Sequence, residues 1–206
     1  MKTLTAVNIQ RANQQGFTII ELVVVILLLG ILTATALPRF MNISDQAHAA
    51  VVDAVEGGLS SGVALFKATY TAEGEQNAAV VAGFGAGTLF SDAAGSGYPA
   101  DATDGIITDG AECGLIYDGL LQSGRPVAFA GSRGAADSDT ETLIEANAAN
   151  VDFIITEDID GAIAGCELFY VGQFKSGTLA SPNTIPTIVY KIATGIISSS
   201  TFTLQI

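Results

Sequence analysis

Hydrophobic and polar positions divide the first third of the chain into stretches of different character. Residues 1–16 are mostly polar and carry Lys2 and Arg11 with no acidic residue. Phe17 to Leu37 is an apolar run of 21 residues in which Glu21 is the only charged side chain. At about 1.5 Å of rise per residue, that run makes a helix roughly 31 Å long. The hydrocarbon core of a bilayer is about 30 Å thick, so the run can span it. Beyond Pro38 the pattern becomes periodic. Phe40, Ile43, Ala47, Ala50, Val51, Ala54, Val55, Leu59, Val63, Phe66 and Tyr70 recur at steps of mostly three and four. That spacing lays one apolar stripe along a helix, with Asp45, Asp53 and Glu56 largely off it. One helix from Phe17 to about Tyr70 is expected. Its stripe needs a cover, and a sheet built from the rest of the chain is the natural one. Pro38 removes a backbone donor and crowds the preceding turn, which predicts a kink. Gly57, Gly58 and Gly62 either weaken the helix by about 1 kcal/mol each relative to Ala or permit close packing. The sequence does not choose between these.

Residues 71–112 are rich in Gly, Ala and Asp and predict a long connecting loop with little regular structure. Short runs of β-branched and aromatic residues follow, bounded by Gly, Pro, Asn and Asp. They predict strands at Gly114–Tyr117, Val127–Ala130, Val151–Thr156, Glu167–Phe174, Thr187–Ile192 and Thr201–Ile206. These runs lie too close together for helical crossovers, so a mainly antiparallel sheet of four to six strands is expected. The fold class is α+β: a long N-terminal helix packed on a sheet.

A carboxylate within an apolar span costs about 2.5–3.5 kcal/mol near the helix centre and less towards an end. Glu21 therefore calls for a partner or a purpose. It sits five residues beyond the junction of Gly16 and Phe17, in the sequence Gly16-Phe17-Thr18-Ile19-Ile20-Glu21. This stretch resembles the N-terminus of a type IV prepilin. The resemblance implies that a dedicated prepilin peptidase cuts after Gly16 and N-methylates Phe17. It implies that Glu21 is an assembly contact, pairing with the terminal amine of a neighbouring subunit. It also implies that Pro38 kinks the helix near the membrane exit. The segment Leu37-Pro38-Arg39-Phe40-Met41-Asn42-Ile43 is similar to the one that follows the membrane run in mannose-sensitive haemagglutinin pilins. The resemblance covers about the first quarter of the chain.

The organisation expected on these grounds is a leader at 1–16, a membrane and assembly half-helix at 17–37, and an amphipathic half-helix plus β-sheet head at 38–206. The expected function is that of a structural pilus subunit, with a part in adhesion or attachment. Its expected partners are copies of itself or other pilins, the prepilin peptidase, an inner-membrane assembly platform with its ATPase, and the membrane itself before assembly. Lys2 and Arg11 before the span, against Asp45, Asp53 and Glu56 after it, keep the leader cytoplasmic and export the rest. The chain is then single-pass in the inner membrane and on the cell surface once assembled. A type II secretion pseudopilin shares such an N-terminus and is the nearest alternative. An ordinary single-span anchor or membrane-anchored periplasmic protein explains the span but not the glycine junction. A secretory signal peptide could use Ala34-Thr35-Ala36 as its cleavage site, yet the apolar stretch is too long and carries Glu21.

Composition adds constraints. The 206 residues include 8 Lys and Arg against 21 Asp and Glu, a net charge of −13. Loss of Lys2 and Arg11 with the leader leaves six basic residues and a net charge of −15. Such an exported domain repels phosphate backbones, so direct nucleic-acid binding is not expected. Cys113 and Cys166 are the only cysteines. In an oxidising compartment they read most simply as one disulfide, with a pair of free buried thiols as the alternative. Each opens a similar pattern, Cys113-Gly114-Leu115-Ile116-Tyr117 and Cys166-Glu167-Leu168-Phe169-Tyr170, so the bridge is expected to pin two strands.

Chemistry is otherwise sparse. His48, the only histidine, lies among alanines on the expected helix and reads as a solvent-facing or interface residue. No nucleotide-binding, G-x-S-x-G or H-E-x-x-H motif is present, so no enzyme, cofactor or metal is expected. Asp137-Ser138-Asp139-Thr140-Glu141 begins as a calcium loop begins, but Thr142 stands where Gly is needed and Ala148 where Glu is needed. It reads as a solvated acidic turn, as do Asp101 to Glu112 and Asp158-Ile159-Asp160-Gly161.

Overall fold

The computed structural model describes residues 16–84, 89–101, 104–133, 137–158, 165–174 and 183–204. Residues 1–15 of the expected leader lie outside them. The chain divides by its internal packing into two units, one ending at Gln46 and the other beginning at Ala47. Helix α1, Ile19–Ala72, is the long helix the pattern calls for and continues through Pro38.

In the first unit the apolar run is helical and uncovered. Among the described side chains, its large apolar residues between Phe17 and Ile43 are between 41% and 82% exposed. The helix is long and apolar enough to cross a membrane. Its hydroxyls are satisfied within it: Thr33 Oγ1 donates to Leu29 O at 2.7 Å, and Thr35 Oγ1 donates to Leu32 O at 3.0 Å. Such back-bonding hides polar groups that an apolar solvent would leave unpaired.

In the second unit a five-stranded sheet runs in the order β3-β4-β5-β6-β7. Its strands are β3 Ala128–Ala130, β4 Phe153–Glu157, β5 Gly165–Tyr170, β6 Asn183–Lys191 and β7 Ile196–Leu204. Pairing is antiparallel except between β3 and β4, which are parallel. A parallel pair needs a crossover, and α3, Asp137–Asn147, supplies it. The expectation that no helical crossover would fit is thus corrected for this pair. Within the loop at 71–112, β1 Phe90–Ser91 and β2 Pro99–Asp101 form a separate two-stranded ladder.

Alternation along the strands builds two cores. Phe153, Ile155, Cys166, Leu168 and Tyr170 face Val52, Val55, Leu59, Val63, Phe66 and Tyr70 of α1, together with α2 (Gly110–Leu120). Ile154, Phe169, Ile185 and Leu204 pack instead with Ile144 of α3 and with Ala148 just beyond its end. The head therefore has helices on both faces of its sheet, one layer more than expected. The buried stripe on α1 starts at Val52, which the sequence reading passed over. Ala50 and Ala54 are exposed. At about 100° per residue they fall on the side of the helix away from Leu59.

The segment from Gly114 to Tyr117 is helix, not strand. Asp109 caps α2, its side chain accepting from Glu112 N while Glu112 reaches back to the cap backbone. That capping box nucleates a helix. Cys113, Ile116, Tyr117 and Leu120 then fall on one buried face at helical spacing. β5 also stops short of the expected strand end, since Gly172–Phe174 is a 3-10 turn.

The helix glycines divide. A Cβ on Gly57 would meet nothing within 4 Å, whereas one on Gly62 would lie 3.0 Å from Leu120 Cβ and 3.3 Å from Leu120 O. On Gly58 it would lie 2.7 Å from Leu121 Cδ2. Gly58 and Gly62 are thus the seat on which the end of α2 rests.

Candidate functional site

The start of α1 gathers the residues singled out by the sequence. Gly16 and Phe17 lie just before the helix, exposed and without regular structure. Thr18 stands immediately before the first helical residue and Glu21 three positions on, the T-x-x-E spacing of a capping box. The geometry is reciprocal. Thr18 N donates to Glu21 Oε2 at 2.9 Å, Thr18 Oγ1 donates to the same oxygen at 2.6 Å, and Glu21 N donates to Thr18 Oγ1 at 3.3 Å. The carboxylate in the apolar run therefore has a partner inside its own chain. It satisfies one backbone donor at the helix start, the Thr18 N–H, and its negative charge lies at the positive end of the helix dipole. The signal for this second role in the sequence is the Thr18-Ile19-Ile20-Glu21 spacing.

The remaining residues lie in the head. Cys113 and Cys166 form a disulfide, Sγ–Sγ 2.00 Å, with both cysteines buried. It ties helix α2 to strand β5, not two strands. The void beside it, lined in part by Leu59, Ile116 and Leu168, has a volume of about 10 Å³, room for one water at most. His48 is half-buried, its Nδ1 2.7 Å from the Tyr170 hydroxyl. It packs the helix against β5 instead of facing solvent. Among the described residues no group of three His, Cys, Asp or Glu side chains gathers as metal ligands would. Asp137 to Glu141 lies in the first turns of α3, where helical geometry replaces the loop that calcium coordination uses. Of the segment at 158–161, only Asp158 is described. Asp101 is fully buried and accepts from Asp104 N and from Gly105 N at 2.6 Å, so it caps a turn.

Charge inside the head is structural. Arg133 Nη1 donates to Glu167 Oε2 at 2.8 Å with the arginine side chain 3% exposed. Burial pushes the Glu157 carboxyl above the usual carboxylate range, and Asp109 adds to the shift. Backbone donation from Glu157 itself and from Arg133, with the Arg133 charge, opposes it. The Tyr190 hydroxyl, donating to Pro99 O at 2.7 Å, is held far above its ordinary range by burial.

Comparison with known proteins bears on the N-terminal part. The prokaryotic N-terminal methylation motif matches residues 11–37. The type IV narrow pilus major component PilA5 of Thermus thermophilus is 48% identical over 60 residues, 29% of this chain and 50% of that protein. The type II secretion system core protein G of Pseudomonas aeruginosa is 38% identical over 58 residues, 28% of this chain and 41% of that protein. The chain thus spans half or less of the length of these relatives. No solved structure matches it.

Proposed function

We infer that this chain, a prepilin of the type IV pilin kind bearing the N-terminal methylation motif, is a structural subunit of a type IV pilus. The family is structural and not enzymatic. The observation that carries the reading is the coincidence, at one helix start, of the matched motif, an exposed Gly16–Phe17 junction and a capped carboxylate at Glu21. The uncut chain rests in the inner membrane with its leader cytoplasmic. Prepilin peptidase cuts after Gly16, removes Lys2 and Arg11, and methylates the new amine of Phe17. Thr18 keeps the Glu21 carboxylate hydrogen-bonded while the helix is in lipid, lowering the cost of storing it there. On assembly the carboxylate meets the Phe17 amine of a neighbouring subunit, and the apolar faces exchange lipid for one another. The acidic head stays outside, on the cell surface. A place in attachment, and in the mannose-sensitive haemagglutinin pilin subfamily, rests on the Leu37–Ile43 segment.

The test is the mature N-terminus and the location of the protein. Mass spectrometry of sheared surface filaments should find this chain beginning at N-methyl-Phe17. A chain beginning at Leu37, or one never found in filaments, would refute the reading. A second reading, a type II secretion pseudopilin, is favoured by the likeness to core protein G. It requires a short periplasmic assembly and no surface fibres.

A further inference from the structure

Strand β7 is the end strand of the five-stranded sheet, and no other described strand lies beyond it. It is nine residues long, and its ladder with β6 runs from Asn183↔Leu204 to Lys191↔Ile196 without a shift in register. Its sequence, Ile-Ile-Ser-Ser-Ser-Thr-Phe-Thr-Leu, holds no proline, glycine or charged residue. Natural sheet edges are usually blunted by shortness, a bulge, proline or an inward charge, because open N–H and C=O groups recruit another strand. The other edge, β3, is three residues long. β7 from Ile196 to Thr203 carries none of these devices.

The chain's own charge says which partner fits. With 21 acidic residues against 8 basic ones, two copies repel across most of their surfaces. Residues 192–206 hold no charged side chain. Among the described residues, Glu56 is the carboxylate hydrogen-bonded to β7, through the Ser199 hydroxyl. A charged peptide finds no complement along β7. An apolar one finds exposed Ser198, Ser199, Ser200 and Thr201 on both faces. A strand of Ser and Thr is complementary to itself, since such residues pair across strands by hydrogen bonding.

We propose that the outer edge of β7 pairs antiparallel with β7 of a second copy of this chain, joining two five-stranded sheets into one. The pair is isologous, so its two-fold axis stands normal to the sheet and one residue of β7 lies opposite itself. The Ala47–Ala72 part of α1 packs on one face of that sheet, and the axis reverses its direction in the second copy. The head helices of the pair therefore run oppositely. Subunits of one fibre, or of one membrane, all point the same way. The contact joins subunits of two fibres lying in opposite directions and is a device for lateral bundling. The bundling role rests on the pilus reading; the pairing itself does not.

The test uses the full chain in detergent, with single cysteines introduced at each position from Ile197 to Thr203 and at the exposed Ser123 as a control. After mild oxidation, non-reducing gels report covalent dimer. The residue on the axis meets itself, and each step along the strand separates the two copies by about 7 Å more. A disulfide tolerates a Cα separation of up to about 7 Å. The dimer yield should peak at one position, fall at least about fivefold two residues away, and stay low at Ser123. A profile that is flat along β7, or no dimer above the Ser123 level, overturns the proposal. Lysines at both residues flanking the peak position stand opposite one another across the two copies, and adding them to the peak variant should lower the yield at least about fivefold, more at low salt than at high. An unchanged yield also overturns it. Failure of the pilus reading shows separately, as absence of the chain from sheared filaments, and leaves the crosslinking profile as it is.

Discussion

Replacing each of the three helix glycines by alanine separates backbone propensity from packing within a single helix. All three changes relieve the same intrinsic penalty, worth about 1 kcal/mol in a helix interior. At Gly57 the new methyl meets open space, so the whole gain should appear. For a domain of this size it corresponds to a rise in Tm of roughly 2–4 °C. At Gly62 the methyl would stand 3.0 Å from Leu120 Cβ and 3.3 Å from Leu120 O. Both atoms belong to the end of α2, which is anchored by Ile116 and Tyr117 in the core and by the Cys113–Cys166 bridge. Neither is the loose end of a side chain, so the contact is relieved only by moving α2. Overpacking of that kind costs about 1–3 kcal/mol, which cancels or exceeds the gain. At Gly58 the clash is with Leu121 Cδ2, a terminal methyl that can turn away, and a result between the other two is expected. Thermal melts of the full-length variants in one detergent, followed by near-UV circular dichroism, give the order Gly57→Ala, Gly58→Ala, Gly62→Ala from most to least stable. If Gly62→Ala is stabilised as much as Gly57→Ala, the claim that α2 rests on a glycine seat is wrong.

Further outcomes follow from other sites. Glu21→Ala should leave membrane insertion intact and impair assembly, whereas Thr18→Ser, which keeps the capping hydroxyl, should assemble normally; sheared-filament yield against total membrane protein measures both, and full piliation by Glu21→Ala removes the pairing role. Replacing Cys113 and Cys166 together by serine opens a loop with a separation of 53 residues. In the chain-entropy model this costs about 4 kcal/mol, readable as a lower midpoint in urea with the fold retained. The Glu157 carboxyl has a raised folded-state pKa, so its proton is held more tightly in the native state. Its destabilising effect is absent below the unfolded carboxylate pKa and develops as pH rises through the carboxylate range to the raised folded value. Glu157→Gln should therefore gain stability at pH 7 relative to pH 4. An identical pH profile for mutant and wild type would show that folding does not raise the pKa of this carboxyl.

The candidate site was largely legible because its signals are local. The Gly16–Phe17 junction, the carboxylate at Glu21 and the proline at position 38 are read by counting along one helix. What escaped was the Thr18–Glu21 capping box, whose spacing was visible but whose role competed with the more conspicuous membrane charge. His48 escaped for a different reason. Its partner, Tyr170, is 122 residues away, and no local pattern connects them.

Sequence alone determined the extent of α1, because a run of 21 apolar residues followed by a three- and four-residue stripe suits no other element. It also determined most of the strands, which β-branched and aromatic runs betray, and pointed to the disulfide that joins the two cysteines of the sequence. Tertiary structure decided what local pattern left degenerate. The pentapeptides opening at Cys113 and Cys166 look alike, yet one is helix and the other strand. The first follows a capped turn and has α1 to pack on; the second lies between two strands that satisfy its backbone. The parallel β3–β4 pair and its α3 crossover were hidden because Asp137 to Glu141 reads as an acidic turn until Ile144 and Ala148 find the far face of the sheet. Which glycines were seats and which were merely flexible depended on where α2 came to rest, a distance in space that no spacing along the chain encodes.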